Sequence, residues 1–141
     1  MEQRLSLITL GVEDLARARR FYEALGWKAS ALGDGSVVFF QLGGIVLALW
    51  GRVELAADAR LAEAGPGFRG VALAHNVRRR EEVDAILAEA EQAGGRITTP
   101  AQDAFWGGYY GHFTDPEGHV WEVAWNPQFA IDDAGNINLP R

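Results

Sequence analysis

The segment "HVWEVAW", His119 to Trp125, places one carboxylate, Glu122, inside an otherwise apolar run. A carboxylate flanked by Trp121, Val123 and Trp125 can ligate a metal, move a proton, or pair with a buried base. The chain offers three histidines as companions, His75, His112 and His119. Turn chemistry singles out His112. "DPEG", Asp115 to Gly118, fits a type I turn with Pro second and Gly fourth, where a left-handed glycine closes a G1 bulge. That register opposes Asp115 to His119, and therefore His112 to Glu122 across the hairpin. A four-residue loop without the bulge would oppose Gly111 to Glu122 and send His112 to the other face. The turn residues favour the bulged register. His119, directly after the turn, is expected at the surface. His75, late in its strand, is expected at a pocket rim.

An imidazole beside a carboxylate is either an acid–base dyad, the carboxylate orienting the ring, or a satisfied polar pair that fixes the hairpin. The residue types alone leave both open. Trp50, Trp106, Tyr109 and Tyr110 could form an aromatic wall for a flat or cationic ligand. Trp121 and Trp125 have the opposite parity to Glu122 and belong with the core. "WGGYYG" has neither the strand–loop–helix context nor the Lys-Ser/Thr of a phosphate loop. Its glycines instead permit a bend or a close backbone approach. "VRRREE" and the cluster Arg17, Arg19, Arg20 read as solvated helix faces.

Composition bounds what such a site can serve. A chain of 141 residues with 48% hydrophobic and 23% charged content is one globular domain. A net charge of −6 argues against nucleic acid or anionic membrane as partners and favours cationic ligands. No apolar run approaches the length of a membrane span, and "MEQRLSLITLGVED" lacks the basic start and apolar core of a signal peptide. With no cysteine, disulfides, thiol catalysis and cysteine-based zinc sites are excluded. A cytoplasmic domain is the expectation.

The elements that must position these residues can be read in order. "LSLITLGV" is a buried strand; Asp14 caps a helix with Leu15, Ala18, Tyr22 and Leu25 on one stripe, stopped by Gly26. "SVVFFQL", a Gly43-Gly44 turn and "IVLALW" form a hairpin. After an Ala-rich connector the order repeats. "GVALAHNV" is a strand, "REEVDAILAEAEQAGG" a helix, and "GRITTP", "YYGHFTD" and "HVWEVAW" supply the closing strands. The expected fold is α+β, two tandem βαβββ modules forming a curved mixed sheet around a pocket, with helices on the outer face. Module one spans about residues 1–52, the connector 53–66, module two about 67–127 and a tail 128–141. Asp133–Asn136 carries a turn signal for a small hairpin in that tail. Ala48 lies as far beyond Gly44 as Glu122 does beyond Gly118, and by the same superposition Leu7 answers to Val71.

This order resembles the vicinal oxygen chelate superfamily of glyoxalase I, extradiol dioxygenases and bleomycin- and fosfomycin-resistance proteins. The resemblance rests on "VEDLARARRFYEALGW", like the family's first helix, and on "WGGYYGHFTDPEGHVWEVAWNP", like its closing hairpin and close to a glyoxalase-like branch. It covers the chain to about Pro127. It implies four metal-ligand positions, two per module, which fall here on Leu7, Ala48, Val71 and Glu122. Three of these have no donor atom, so no metal or other cofactor is expected, and a divalent ion held by Glu122 and His112 is the lesser reading. His112 also occupies the slot of a substrate-facing tyrosine in the dioxygenases, while their upstream histidine ligand is missing from Asp103 to Phe105. The resemblance therefore implies a metal-independent binder of a small cationic or aromatic molecule, contacted by Leu7, Ala48, Trp50, Val71, His75, Trp106, Tyr109 and Tyr110. The alternative is a lyase, isomerase or dioxygenase-like enzyme using Glu122 and His112. A homodimer is the expected assembly.

Overall fold

The computed structural model describes residues 1, 3, 6–32, 34–63, 65, 67–69 and 71–137. The chain divides into two compact units, Met1–Arg69 and Gly70–Arg141. Each builds its own sheet and lays a helix on one face of it, as tandem βαβββ modules of an α+β fold do.

Unit one runs β1 (Leu7–Val12), α1 (Leu15–Ala24), β2 (Val37–Leu42), β3 (Ile45–Gly51) and α2 (Arg52–Asp58). Its sheet order is β1-β3-β2, with β1 parallel and β2 antiparallel to the central strand. The remaining strand of the module is reduced to a single bridge, Ala29 to Phe40. Asp14 caps α1 as its residue type demands: it is extended, and its Oδ1 accepts from the Arg17 amide at 2.9 Å. Gly26 follows the helix at φ 89°, the left-handed stop that favours glycine. The face of α1 carrying buried Ala18, Phe21 and Tyr22 meets the sheet through Phe40, whose ring lies 5.8 Å from that of Tyr22. Alternation then puts Leu10, Val12, Val38, Leu47 and Leu49, all buried, on the same side. Leu7, Ala48 and Trp50 take the side away from α1. Part of the expected connector is helical, as α2.

Unit two runs β4 (Ala72–Val77), α3 (Glu81–Gln92), β5 (Arg96–Asp103), β6 (Tyr109–Thr114) and β7 (Val120–Trp125), with sheet order β4-β7-β6-β5. β4 is parallel to β7, and the other pairs are antiparallel. Buried Val83, Leu87 and Ala90 form the packing stripe of α3. It covers the face carrying Gly111, Phe113, Trp121 and Val123, where Phe113 and Trp121 stack at 6.3 Å. The tail closes into the expected small turn: Ile131 bridges Ile137, and Arg78 Nη2 donates to the Asp132 carbonyl at 2.6 Å.

Gly111 marks where helix and sheet come closest. A Cβ built there would lie 2.6 Å from Leu87 Cδ1 and 2.8 Å from the Thr99 carbonyl oxygen. The leucine can turn aside, but the strand backbone cannot. Gly111→Ala should therefore cost about 1–3 kcal/mol, read as a lower Tm in thermal denaturation. An unchanged Tm would contradict this packing.

Candidate functional site

The hairpin joining β6 and β7 has the bulged register. The Asp115 amide donates to the His119 carbonyl at 3.0 Å, the Gly118 amide to the Asp115 carbonyl at 3.0 Å, and Gly118 sits at φ 82°. His112 consequently pairs with Glu122. The Asp115 side chain has no exposed surface. Its Oδ1 accepts from the Glu117 and His119 amides, each at 2.9 Å, and its Oδ2 lies 3.1 Å from His119 Nδ1. His119 is accordingly only 12% exposed, against the expectation of a surface residue. A buried carboxylate at the head of the turn draws the imidazole in.

On the face of this sheet opposite α3, Glu122 and His112 stand side by side, Oε2 to Nε2 3.5 Å. That separation is longer than a well-formed hydrogen bond. His112 Nδ1 lies 3.1 Å from Thr99 Oγ1, on the strand that pairs with β6 on its other side. The Tyr110 ring meets the imidazole edge-on, with centroids 5.5 Å apart at 87°. Trp106 lies 6.1 Å from Tyr110, whose hydroxyl accepts from Gln102 Nε2 at 3.0 Å. The glycines of "WGGYYG" give the expected bend and close approach: Gly107 sits at φ 90°, and a Cβ on Gly108 would run into the Trp106 ring and lie 2.5 Å from the Trp125 carbonyl oxygen.

Other expected site residues fall elsewhere. Tyr109 precedes Tyr110 by one residue in a strand and so faces α3. Its hydroxyl donates to Asp84 at 3.0 Å, and that bond, burial and the carboxylate charge raise its pKa. Arg80 lies over the Tyr109 ring at 4.0 Å and reaches Asp103 at 2.6 Å, so this part of "VRRREE" clamps α3 to the sheet rather than only facing solvent. The neighbour of Glu122 on β4 is Ala74, and Val71 precedes the strand on the opposite parity. In unit one the β1 partner of Ala48 is Thr9, with Leu7 two residues earlier on the same face and Trp50 two residues beyond Ala48. Thr99 and Gln102 carried no signal of their own in the sequence; the pairing of β5 with β6 brings them in.

His75 pairs with Val123 on the α3 side, not beside Glu122, which corrects its expected place at the rim of that site. Although the residue keeps solvent-exposed surface, desolvation holds its pKa below the ordinary imidazole value, and Glu82 partly offsets this. The unfolded chain thus binds a proton more readily than the folded one, and stability falls as pH drops below about 6.5. Urea denaturation should show wild type losing more stability than His75→Gln between about pH 7.5 and about pH 5.5. Equal losses would contradict the assignment.

Residues 4–123 match the glyoxalase/bleomycin resistance protein/dioxygenase superfamily. A glyoxalase-related enzyme from Fulvimarina pelagi is 37% identical over 99% of this chain and 100% of its own, with a TM-score of 0.89. A hypothetical protein from S. aureus is 25% identical over 89% of this chain and 94% of its own, with a TM-score of 0.77. Lactoylglutathione lyase from Agrobacterium tumefaciens shares the fold at 23% identity and a TM-score of 0.66, over 88% of this chain and 94% of its own. No curated protein matches the chain. The chain belongs to the glyoxalase/bleomycin resistance protein/dioxygenase superfamily.

Proposed function

We propose that the chain binds a small molecule with a flat aromatic or cationic part against the Glu122 face of its second sheet, without the family's usual metal site. One observation carries this reading. Glu122, His112, Tyr110, Trp106 and Gln102 gather on the side of the sheet that α3 leaves uncovered. A carboxylate beside aromatic rings suits a ligand that presents positive charge and a π-face together. The net charge of −6 supports the same ligand class.

Donor chemistry supports the metal-free part. The side chains at three of the four expected ligand positions, Leu7, Ala48 and Val71, carry no donor atom, and of the strand neighbours of Ala48 and Glu122, Thr9 and Ala74, only Thr9 offers a hydroxyl. Among the described residues no three His, Asp or Glu side chains converge. Glu122 and His112 supply one oxygen and one nitrogen, fewer than the three protein ligands typical of a catalytic zinc site. The residues present do not fit such an ion.

The second reading is an enzyme, a lyase, isomerase or related activity on a small oxygenated molecule, favoured by the apposition of Glu122 and His112 and by the 37% identity to a glyoxalase-related enzyme. In it the carboxylate takes a proton from bound substrate while the imidazole holds the carboxylate in place. A homodimer belongs to the proposal, and sedimentation velocity measures it.

Isothermal titration with proflavine, a planar aromatic cation, should give saturable heat, and naphthoate, a planar anion, none. Glu122→Gln should weaken proflavine binding by roughly tenfold or more, about 1.4 kcal/mol, while leaving the Tm nearly unchanged. No heat with proflavine, or equal affinity in the variant, would overturn the binding reading. A stoichiometric transition metal in the purified protein would overturn its metal-free part.

A further inference from the structure

Both ring nitrogens of His112 face protein groups, Nε2 towards Glu122 Oε2 at 3.5 Å and Nδ1 towards Thr99 Oγ1 at 3.1 Å. A neutral imidazole has one donor and one acceptor, and an ionised carboxylate only accepts. A proton on Nε2 therefore faces the carboxylate favourably, whereas a lone pair there would face it with repulsion. Nδ1 is then the acceptor, and the Thr99 hydroxyl, which can rotate, donates to it. We infer that Thr99 holds His112 as the Nε2–H tautomer, which makes Thr99 and His112 positioning residues and leaves Glu122 as the group that touches a ligand.

The backbone supports this assignment. β5 changes register between Ile97 and Thr99 and again between Thr99 and Gln102, so Thr99 is an isolated point of pairing, and its partner is His112. Irregularities of this kind re-aim a side chain. The Tyr110 ring lies beside the imidazole and nearly perpendicular to it, with centroids 5.5 Å apart. Glu122, one-third exposed, meets His112 through Oε2, and its carboxylate makes no second hydrogen bond or ion pair among the described residues. One oxygen is thus committed and the other is available. A ligand reaching Nε2 or Nδ1 would have to break a contact already made, whereas one reaching Oε1 breaks none. This division of roles rests on the site proposed above, but the tautomer itself does not require a ligand.

The test is long-range proton–nitrogen correlation NMR on nitrogen-15-labelled protein, at a pH of about 9, where ordinary imidazoles are neutral. The His112 signals are assigned by their loss in His112→Asn. The ligand-free protein should show a protonated Nε2 and an unprotonated Nδ1. Thr99→Ser should keep that pattern, and Thr99→Val should shift the Nδ1 resonance and mix the two tautomers. A protonated Nδ1 in the wild type, read without any variant, would overturn the inference, as would an unchanged Nδ1 resonance in Thr99→Val. On addition of proflavine the Nε2–H signature should persist; its loss would overturn the assignment of contact to Glu122. Absence of proflavine binding would sink the binding reading alone, with the tautomer still decided by the ligand-free spectrum.

Discussion

One backbone constraint governs the arrangement, the bulge at Gly118 that sets the register of β6 against β7. Side chains alternate along a strand, so a slip of one residue would exchange the two faces. His112 and Tyr110 would then point into α3, and Gly111, which must lie beneath Leu87, would face outwards. Two local features hold the register. Gly118 takes a left-handed conformation at φ 82°, costly for residues with a Cβ. Asp115 closes the loop from within, its carboxylate taking two turn amides and meeting His119. Replacing a buried acceptor of this kind leaves donors without partners, a penalty of about 1–3 kcal/mol. The turn is therefore an anchor for chemistry that lies three residues away.

The alternation that protects the register also sorts the second sheet by role. The α3 side takes Phe113, Trp121 and Val123, with the Tyr109–Asp84–Arg80–Asp103 cluster at its margin. The other side keeps the titratable pair, the Thr99 hydroxyl and the Trp106–Tyr110 wall. The pair is half-open to solvent, with side chains 25% and 33% exposed, so it stabilises the fold little. Its position on the face opposite α3, beside aromatic rings and an amide, supports the recognition role proposed for it. Two glycines serve the wall, Gly107 through its left-handed backbone and Gly108 by leaving the space that the Trp106 indole fills.

What was legible in the sequence was local. The Asp14 cap, the Gly26 stop, the bulged turn and the His112–Glu122 apposition all follow from residues within a few positions of one another. The failures came where distant segments meet or where alternation was not followed through. Tyr109 and Tyr110 are adjacent in a strand, so they cannot share a face, and only the second joins the wall. The neighbour of Glu122 on β4 is Ala74 rather than Val71, because parallel pairing has no turn to fix its register. His75 follows from the same offset. Thr99 is a threonine in an ordinary "RITTP" run, and only the irregular pairing of β5 makes it the partner of His112. The family was legible because two long stretches carry its pattern, whereas the reaction depends on single side chains that vary within one fold.

The site depends on His112 and Glu122 facing each other across the hairpin, and the absence of native cysteine makes that directly measurable. Residues directly opposite in an antiparallel pair have Cα atoms about 4.5–5.5 Å apart, within the range a disulfide spans. Oxidation of the His112→Cys, Glu122→Cys double variant should give one intramolecular disulfide, seen by intact mass under non-reducing conditions, with the circular dichroism of the reduced form retained. Two free thiols persisting in the folded protein under the same oxidant would show that these side chains lie on different faces, and the site described above would not exist.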